Sequence, residues 1–194
     1  MFFSGIGIKE LLSVGRIAIS PVDAGSFRRG SYALHLAGRT RVWRHVDSIV
    51  DVMAENALDG LLDDVTEADY IDLRPGIMVL AQTQESIALD KGLVGILSNF
   101  SHFARLGIAI DFGASWIAPG SGLPNPQPIT LELISHNPNI LRLPAGTPIC
   151  HLRVADIQEP PAGDLVTQSL YQGRDPLTRP MLFEDFSAGD YVRE

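Results

Sequence analysis

The rhythm of apolar and polar positions changes along the chain. In residues 4–14, Ile8, Leu11 and Leu12 share one helical face and Ser4 can cap the first turn, which predicts a short helix. Ile17 to Ser20 read as a short extended segment stopped by Pro21. Residues 31–43 alternate, with Tyr32, Leu34 and Leu36 set against Ala33, His35 and Ala37, as in a strand, and Gly38 marks a bulge. Residues 46–65 place Val46, Ile49, Val50, Met53, Ala57, Leu58, Leu61 and Leu62 at helical spacing, so a second helix is expected there. From about residue 70, short apolar or alternating runs take over: Ile77–Gln82, Leu93–Ser98, Ile108–Phe112, Ile129–Ile134 and Ile149–Val154. Turn residues separate them, for example Arg74-Pro75-Gly76 and Pro144-Ala145-Gly146. Short strands punctuated this regularly predict a sandwich or barrel, and no long amphipathic helix alternates with them to build a parallel sheet. The pattern divides the chain into one β-rich domain over residues 1–160 with an N-terminal helix, and an arm over 161–194. The arm is rich in Pro, Gly and Asp and reads as a segment that orders on a ligand or a neighbouring subunit.

Composition agrees with one globular domain: 194 residues, 45% hydrophobic and 20% charged. The single cysteine, Cys150, rules out an internal disulfide framework and a multi-cysteine zinc site. No apolar run approaches the roughly 20 residues that span a bilayer, so no membrane is expected as a partner. The N-terminal residues carry neither a basic nor a long apolar region of a signal peptide, which makes the cytoplasm the expected location. A net charge of −8 argues against a nucleic-acid polymer as partner but leaves room for a nucleotide, which a few local cations can hold. The basic clusters Arg28-Arg29 and Arg39-Arg41-Arg44 read as solvated surface.

Several chemistries find no motif. The chain has no phosphate loop ending in Lys-Ser/Thr, no dinucleotide fingerprint and no nucleophile elbow. The zinc deaminase signature needs a Cys pair that one cysteine cannot supply. The five histidines (His35, His45, His102, His136 and His151) show no metal-ligand spacing.

One ordered set of short motifs carries more. It runs from Pro75-Gly76 through Val79-Leu80-Ala81-Gln82-Thr83-Gln84-Glu85-Ser86 to Ser101-His102-Phe103-Ala104-Arg105-Leu106-Gly107. It continues with Ala114-Ser115-Trp116-Ile117-Ala118-Pro119-Gly120, Leu131-Glu132, Leu143-Pro144-Ala145-Gly146 and Tyr171-Gln172-Gly173. This order resembles the dCTP deaminase branch of the dUTPase-like superfamily, with its "PG…LA.T.E", "GRSSLARLG", "A..IDPG..G", "LE", "L.PG..I" and "KYQGQ" segments. The resemblance covers roughly residues 5 to 186. It implies a mainly β fold, a distorted antiparallel β-barrel or jelly roll with a few short helices. It also implies a homotrimer with nucleotide sites between subunits, closed by the C-terminal arm. The implied reaction is deamination of dCTP to dUTP and ammonia. No cofactor serves that chemistry, and Mg2+ accompanies the nucleotide phosphates.

Without zinc, water attack at C4 of cytosine needs a carboxylate as base and proton shuttle. Glu132 matches the family's catalytic glutamate; on spacing alone it reads instead as a strand glutamate facing solvent, and the resemblance is what favours catalysis. Ser101 and Arg105 match the residues that orient water, amine and carboxylate, and Ala114 matches the alanine whose carbonyl holds the water. For Arg105 an intersubunit salt bridge is the alternative. His102, Tyr171, Gln172 and Arg174 are the candidate substrate-binding residues.

The chain departs from the pattern at several places. Phe100 stands for the arginine of "GRSS", His102 for its second serine, Leu170 for the lysine and Arg174 for the last glutamine of "KYQGQ". Ala33 stands for the aspartate of "SYDLRLG", and Ala118 for that of "IDPG", the water-activating base of the dUTPase branch. The insertion Ser121–Pro128 is either a longer surface loop or a reshaped rim of the site. Three functions fit: a dCTP deaminase with rearranged phosphate contacts, a deaminase of another cytosine nucleotide or nucleoside, and a trimeric nucleotide-binding regulator without catalysis.

Overall fold

A computed structural model describes residues 1–110, 113–158, 171–182 and 184. The apolar runs form strands β1 (Ile17–Ser20), β2 (Phe27–Arg28), β3 (Ser31–Val42), β4 (Thr66–Glu67), β5 (Tyr70–Leu73) and β6 (Val79–Leu89). They continue with β7 (Leu93–Asn99), β8 (Ile108–Ala109), β9 (Trp116–Ile117), β10 (Gln127–Ser135), β11 (Leu141–Pro144) and β12 (Pro148–Asp156). Helix is confined to short pieces, among them α1 (Gly5–Ser13) and α2 (Ser101–Arg105). Ser4 caps α1 by accepting from Gly7 N at 3.2 Å, and Ile8 and Leu11 turn inward.

The principal sheet runs β8-β10-β6-β3-β12-β7-β9, antiparallel throughout, with β1 also paired to β6. Two registers position the chemistry. On one side Glu132 lies opposite Leu80, and on the other His151 lies opposite both Ala33 and Ser98. The ladder between β3 and β6 shifts register between Leu36 and Thr40, around the expected bulge. Glycine is required there, because a Cβ on Gly38 would sit 2.3 Å from Ala68 O. The bend curls the sheet around a core that includes Leu34, Leu36, Leu73, Leu89, Leu93, Leu131, Leu133, Leu152 and Val154, all fully buried. Each such leucine contributes about 1.5–3 kcal/mol relative to exposure. Ala33 is buried along with Tyr32 and Leu34, so β3 begins covered on both faces rather than alternating.

The expected helix over residues 46–65 does not form. Backbone bonds there close separate four-residue turns: Ala54 N to Asp51 O, Ala57 N to Ala54 O, and Asp59 N to Asn56 O. Asn56 (φ 59°) and Gly60 (φ 73°) are left-handed, which interrupts any helix. Leu58 and Leu62 are buried, whereas Val46, Ile49, Val52 and Met53 are exposed. Strand β8 stops at Ala109, short of the expected run, and residues 111 and 112 lie outside those described.

Of the arginines read as solvated surface, Arg39, Arg41 and Arg44 have partners. Arg39 Nη2 donates to Asp175 Oδ2 at 2.7 Å and Arg41 Nη1 to Leu177 O at 3.0 Å, while Arg44 bonds Asp63. With Thr130 Oγ1 donating to Pro176 O at 2.6 Å, these bonds hold residues 175–177 against β3 and β10. Leu177 is buried on Leu62 and Leu80. The remainder of the expected arm, residues 161–170, 183 and 185–194, lies outside the described residues.

Candidate functional site

Strand β10 alternates strictly at its centre: Leu131 and Leu133 enter the core and Glu132 points the other way. On that side is a cavity of about 470 Å³. Its floor is Leu80 and Ile87 of β6 with Ile129, Thr130 and Glu132 of β10. One wall is the segment Ala114 to Ala118 around β9, and another comes from Tyr171, Pro176, Thr178 and Pro180. Among the described lining residues Glu132 is the one carboxylate, set in largely apolar walls. The structure therefore brings together Glu132, Ala114 and Tyr171.

The insertion Ser121–Pro128 belongs to this cavity, because Ser121, Gly122, Gln127 and Pro128 line it. Gly122 has φ +77°, and a Cβ would fall 2.1 Å from Ile87 O. Gly122 N donates to Gln172 Oε1 at 3.2 Å, and Gly173 N to Gln127 Oε1 at 2.9 Å. Gln172 thus clasps the inserted loop. Tyr171 OH accepts from Met181 N at 3.0 Å. Arg174 is exposed and does not line the cavity.

Ser101, His102 and Arg105 are elsewhere. All three are exposed on α2 and none lines the Glu132 cavity. Phe100, which caps α2, links this helix to β12: its ring lies 5.3 Å from His102 and 3.9 Å from His151. Beside His151 opens a second cavity, of about 450 Å³, lined by Arg28, Arg29, Gly30, Ser31, His151 and Arg153. Burial pushes the His151 imidazole below the usual histidine range, helped by the positive charges of Arg153, Arg28 and His102.

The sequence reading missed Trp43. It lines the Glu132 cavity, and its Nε1 is buried without a hydrogen-bond partner among the described residues. An aromatic residue at the end of a long strand was the available signal. Among the described residues no group of three or more His, Cys, Asp and Glu side chains is placed to hold a metal ion, and no helix is long and apolar enough to cross a membrane.

Comparison with known proteins adds the following. The sequence model of the dCTP deaminase-like family matches residues 2–157. The "dCTP deaminase, dUMP-forming" of Acidothermus cellulolyticus is 31% identical over 194 residues, covering 96% of this chain and 97% of that protein. The protein of the same name from Parafrankia sp. is 30% identical, covering 96% and 93%. Among solved structures, the 2'-deoxycytidine 5'-triphosphate deaminase of Agrobacterium tumefaciens superposes with a TM-score of 0.59 at 17% identity. That match covers 79% of this chain and 47% of the other, so it speaks to the fold alone.

Proposed function

The chain belongs to the dCTP deaminase-like family, and from that premise we propose that it deaminates a cytosine deoxynucleotide, converting dCTP to dUTP and ammonia. The observation that carries this reading is the pairing of Glu132 with Ala114 in one largely apolar cavity. A carboxylate there can take a proton from water held at the Ala114 carbonyl. The water oxygen bonds to C4 while Glu132 passes the first water proton to N3 of the ring, and Glu132 then carries the second proton from the C4 hydroxyl to the amine. The C4–N bond then breaks, ammonia leaves and a carbonyl remains, giving uracil. Apolar walls strengthen each charge interaction as the tetrahedral centre forms.

One chain does not supply the whole constellation. Ser101 and Arg105 are exposed on α2, away from the cavity they are expected to serve. A second copy that presents α2 to the Glu132 cavity would complete it, and a closed trimer repeats that contact three times by symmetry. Tyr171 then closes the base end of the site. Magnesium would accompany the nucleotide phosphates.

The relatives are named for forming dUMP, and here this chain diverges. Ala118 lines the cavity where the family pattern carries an aspartate. The phosphate-hydrolysing base is missing, and the reaction stops at dUTP. The test is ammonia release on deoxycytidine and its mono-, di- and triphosphates, with the phosphorylation state of each product determined. Turnover of none, with nucleotide still bound, would replace this reading with a regulatory one.

A further inference from the structure

The second cavity has no role in water attack, and its composition is unusual for a chain of net charge −8. Arg28 and Arg29 come from the β2–β3 turn, and His151 and Arg153 from β12. Ser31 opens β3, and its Oγ is hydrogen-bonded to His151 Nδ1 at 2.8 Å. No carboxylate lines the cavity among the described residues. The three arginines are exposed. Arg28 spends its guanidinium on the carbonyls of Gly25 and Phe27, which fix its direction without neutralising it. Directly opposite His151 in the ladder, Ser98 Oγ is buried with no partner among the described residues.

Three arginines lining one concave surface with no carboxylate among its described lining residues repel one another, with Asp23 outside the cavity in electrostatic reach of Arg28 alone among them, and an anion relieves that repulsion. Planar guanidinium forks match phosphate oxygens two at a time, and a Ser hydroxyl and an imidazole add single donors. We propose that this cavity is a phosphate site that takes the polyphosphate chain of a nucleotide, held by Arg28, Arg29 and Arg153 with Ser31 and His151. The proposal rests on the reading of the protein as a nucleotide enzyme. It also accounts for the loss of cations at Phe100 and Leu170, because the positive charge has moved to the β2–β3 turn and β12. The cavity adjoins α2 through Phe100, so the chain phosphates would lie on the copy that lends Ser101 and Arg105.

His151 adds a pH signature. The groups facing it are Arg28 and Arg153, His102 across Phe100, and the Ser31 hydroxyl. Bound phosphate favours the imidazolium, so binding tightens as the solution is acidified below the ordinary histidine range.

Calorimetry with inorganic tripolyphosphate tests the site without cytosine or turnover. The wild-type protein should bind it, and R28A/R29A and R153A should each weaken binding at least about tenfold, with Arg44→Gln as the charge control. Binding should also weaken as salt rises. A dCTP titration then distinguishes the source of the phosphates. A KM raised at least about tenfold in R28A/R29A, with kcat held and deoxycytidine unaffected, assigns the site to the substrate's own chain. Lost tripolyphosphate binding with an unmoved KM assigns it to a second nucleotide. If R28A/R29A/R153A binds tripolyphosphate as tightly as wild type does, the proposal is overturned, whether or not the protein deaminates dCTP.

Discussion

The ring of Phe100 lies 3.9 Å from that of His151, centroid to centroid, inclined by 46°. An apolar ring therefore covers an imidazole at the position where the family pattern carries a cation. That cover is part of the burial that disfavours a charged His151. The same contact joins α2 to the arginine-lined cavity.

His151 makes the fold sensitive to acid. Its folded pKa is depressed by burial, so the unfolded chain takes up the proton first as pH falls through the ordinary histidine value near 6.5. The stability it contributes is complete above that value and declines below it. Urea midpoints measured between pH 8 and pH 5 should fall with pH, and H151Q should flatten that part of the curve. Parallel curves for the two proteins would contradict the assignment.

A second prediction concerns the interior. Glu85 is 2% exposed and accepts from His35 N at 2.9 Å and from the His35 ring at 2.5 Å. Glu85→Ala leaves a backbone N–H and a ring nitrogen without their partner. The expected loss is about 3 kcal/mol in urea unfolding, and a loss under about 1 kcal/mol would mean that the bonds are replaced by water.

Gly122 couples the inserted loop to the cavity. Gly122→Ala adds a Cβ 2.1 Å from Ile87 O at a φ of +77°. The loop must shift and the bond to Gln172 with it. KM should rise while the core survives, visible as reduced substrate affinity with a thermal midpoint lowered by only a few degrees. An unchanged KM would detach the insertion from the site.

Product identity follows from Ala118. The wild-type protein should release ammonia from dCTP without pyrophosphate, and the accumulated product should be dUTP. Pyrophosphate released in step with ammonia would require another base in the cavity.

The sequence was most informative where residues recur with a strict period. Leu131-Glu132-Leu133 announced both a strand and a carboxylate on the face away from the core, because alternate side chains must leave opposite faces. Gly38 announced its bulge. The failure over 46–65 has a local cause: apolar spacing suited a helix, but Asn56 and Gly60 adopt left-handed backbone, and Val46, Ile49 and Met53 are exposed rather than packed on a common face. Motif order brought Glu132, Ala114 and Tyr171 to one cavity, yet it could not reveal that Ser101 and Arg105 stand on another face of the same chain. The cationic cavity was hidden for a related reason. Arg28-Arg29 and Arg153 are more than a hundred residues apart, and only the antiparallel pairing of β3 with β12 makes them neighbours.

The central claim, deamination at a site shared by two copies, is tested most directly by mixing two inactive variants. Glu132→Gln removes the base and Arg105→Ala removes the group lent by the neighbour, and each alone should lose about 10²–10⁴-fold in ammonia release from dCTP. After subunits are exchanged by mild unfolding and refolding of the mixture, random assembly gives roughly a quarter of sites both intact faces. Ammonia release should therefore return to roughly a quarter of the wild-type rate. A mixture no more active than its components, with mixed oligomers demonstrated by differential tagging, would contradict the shared site, and full activity of Glu132→Gln alone would contradict the mechanism.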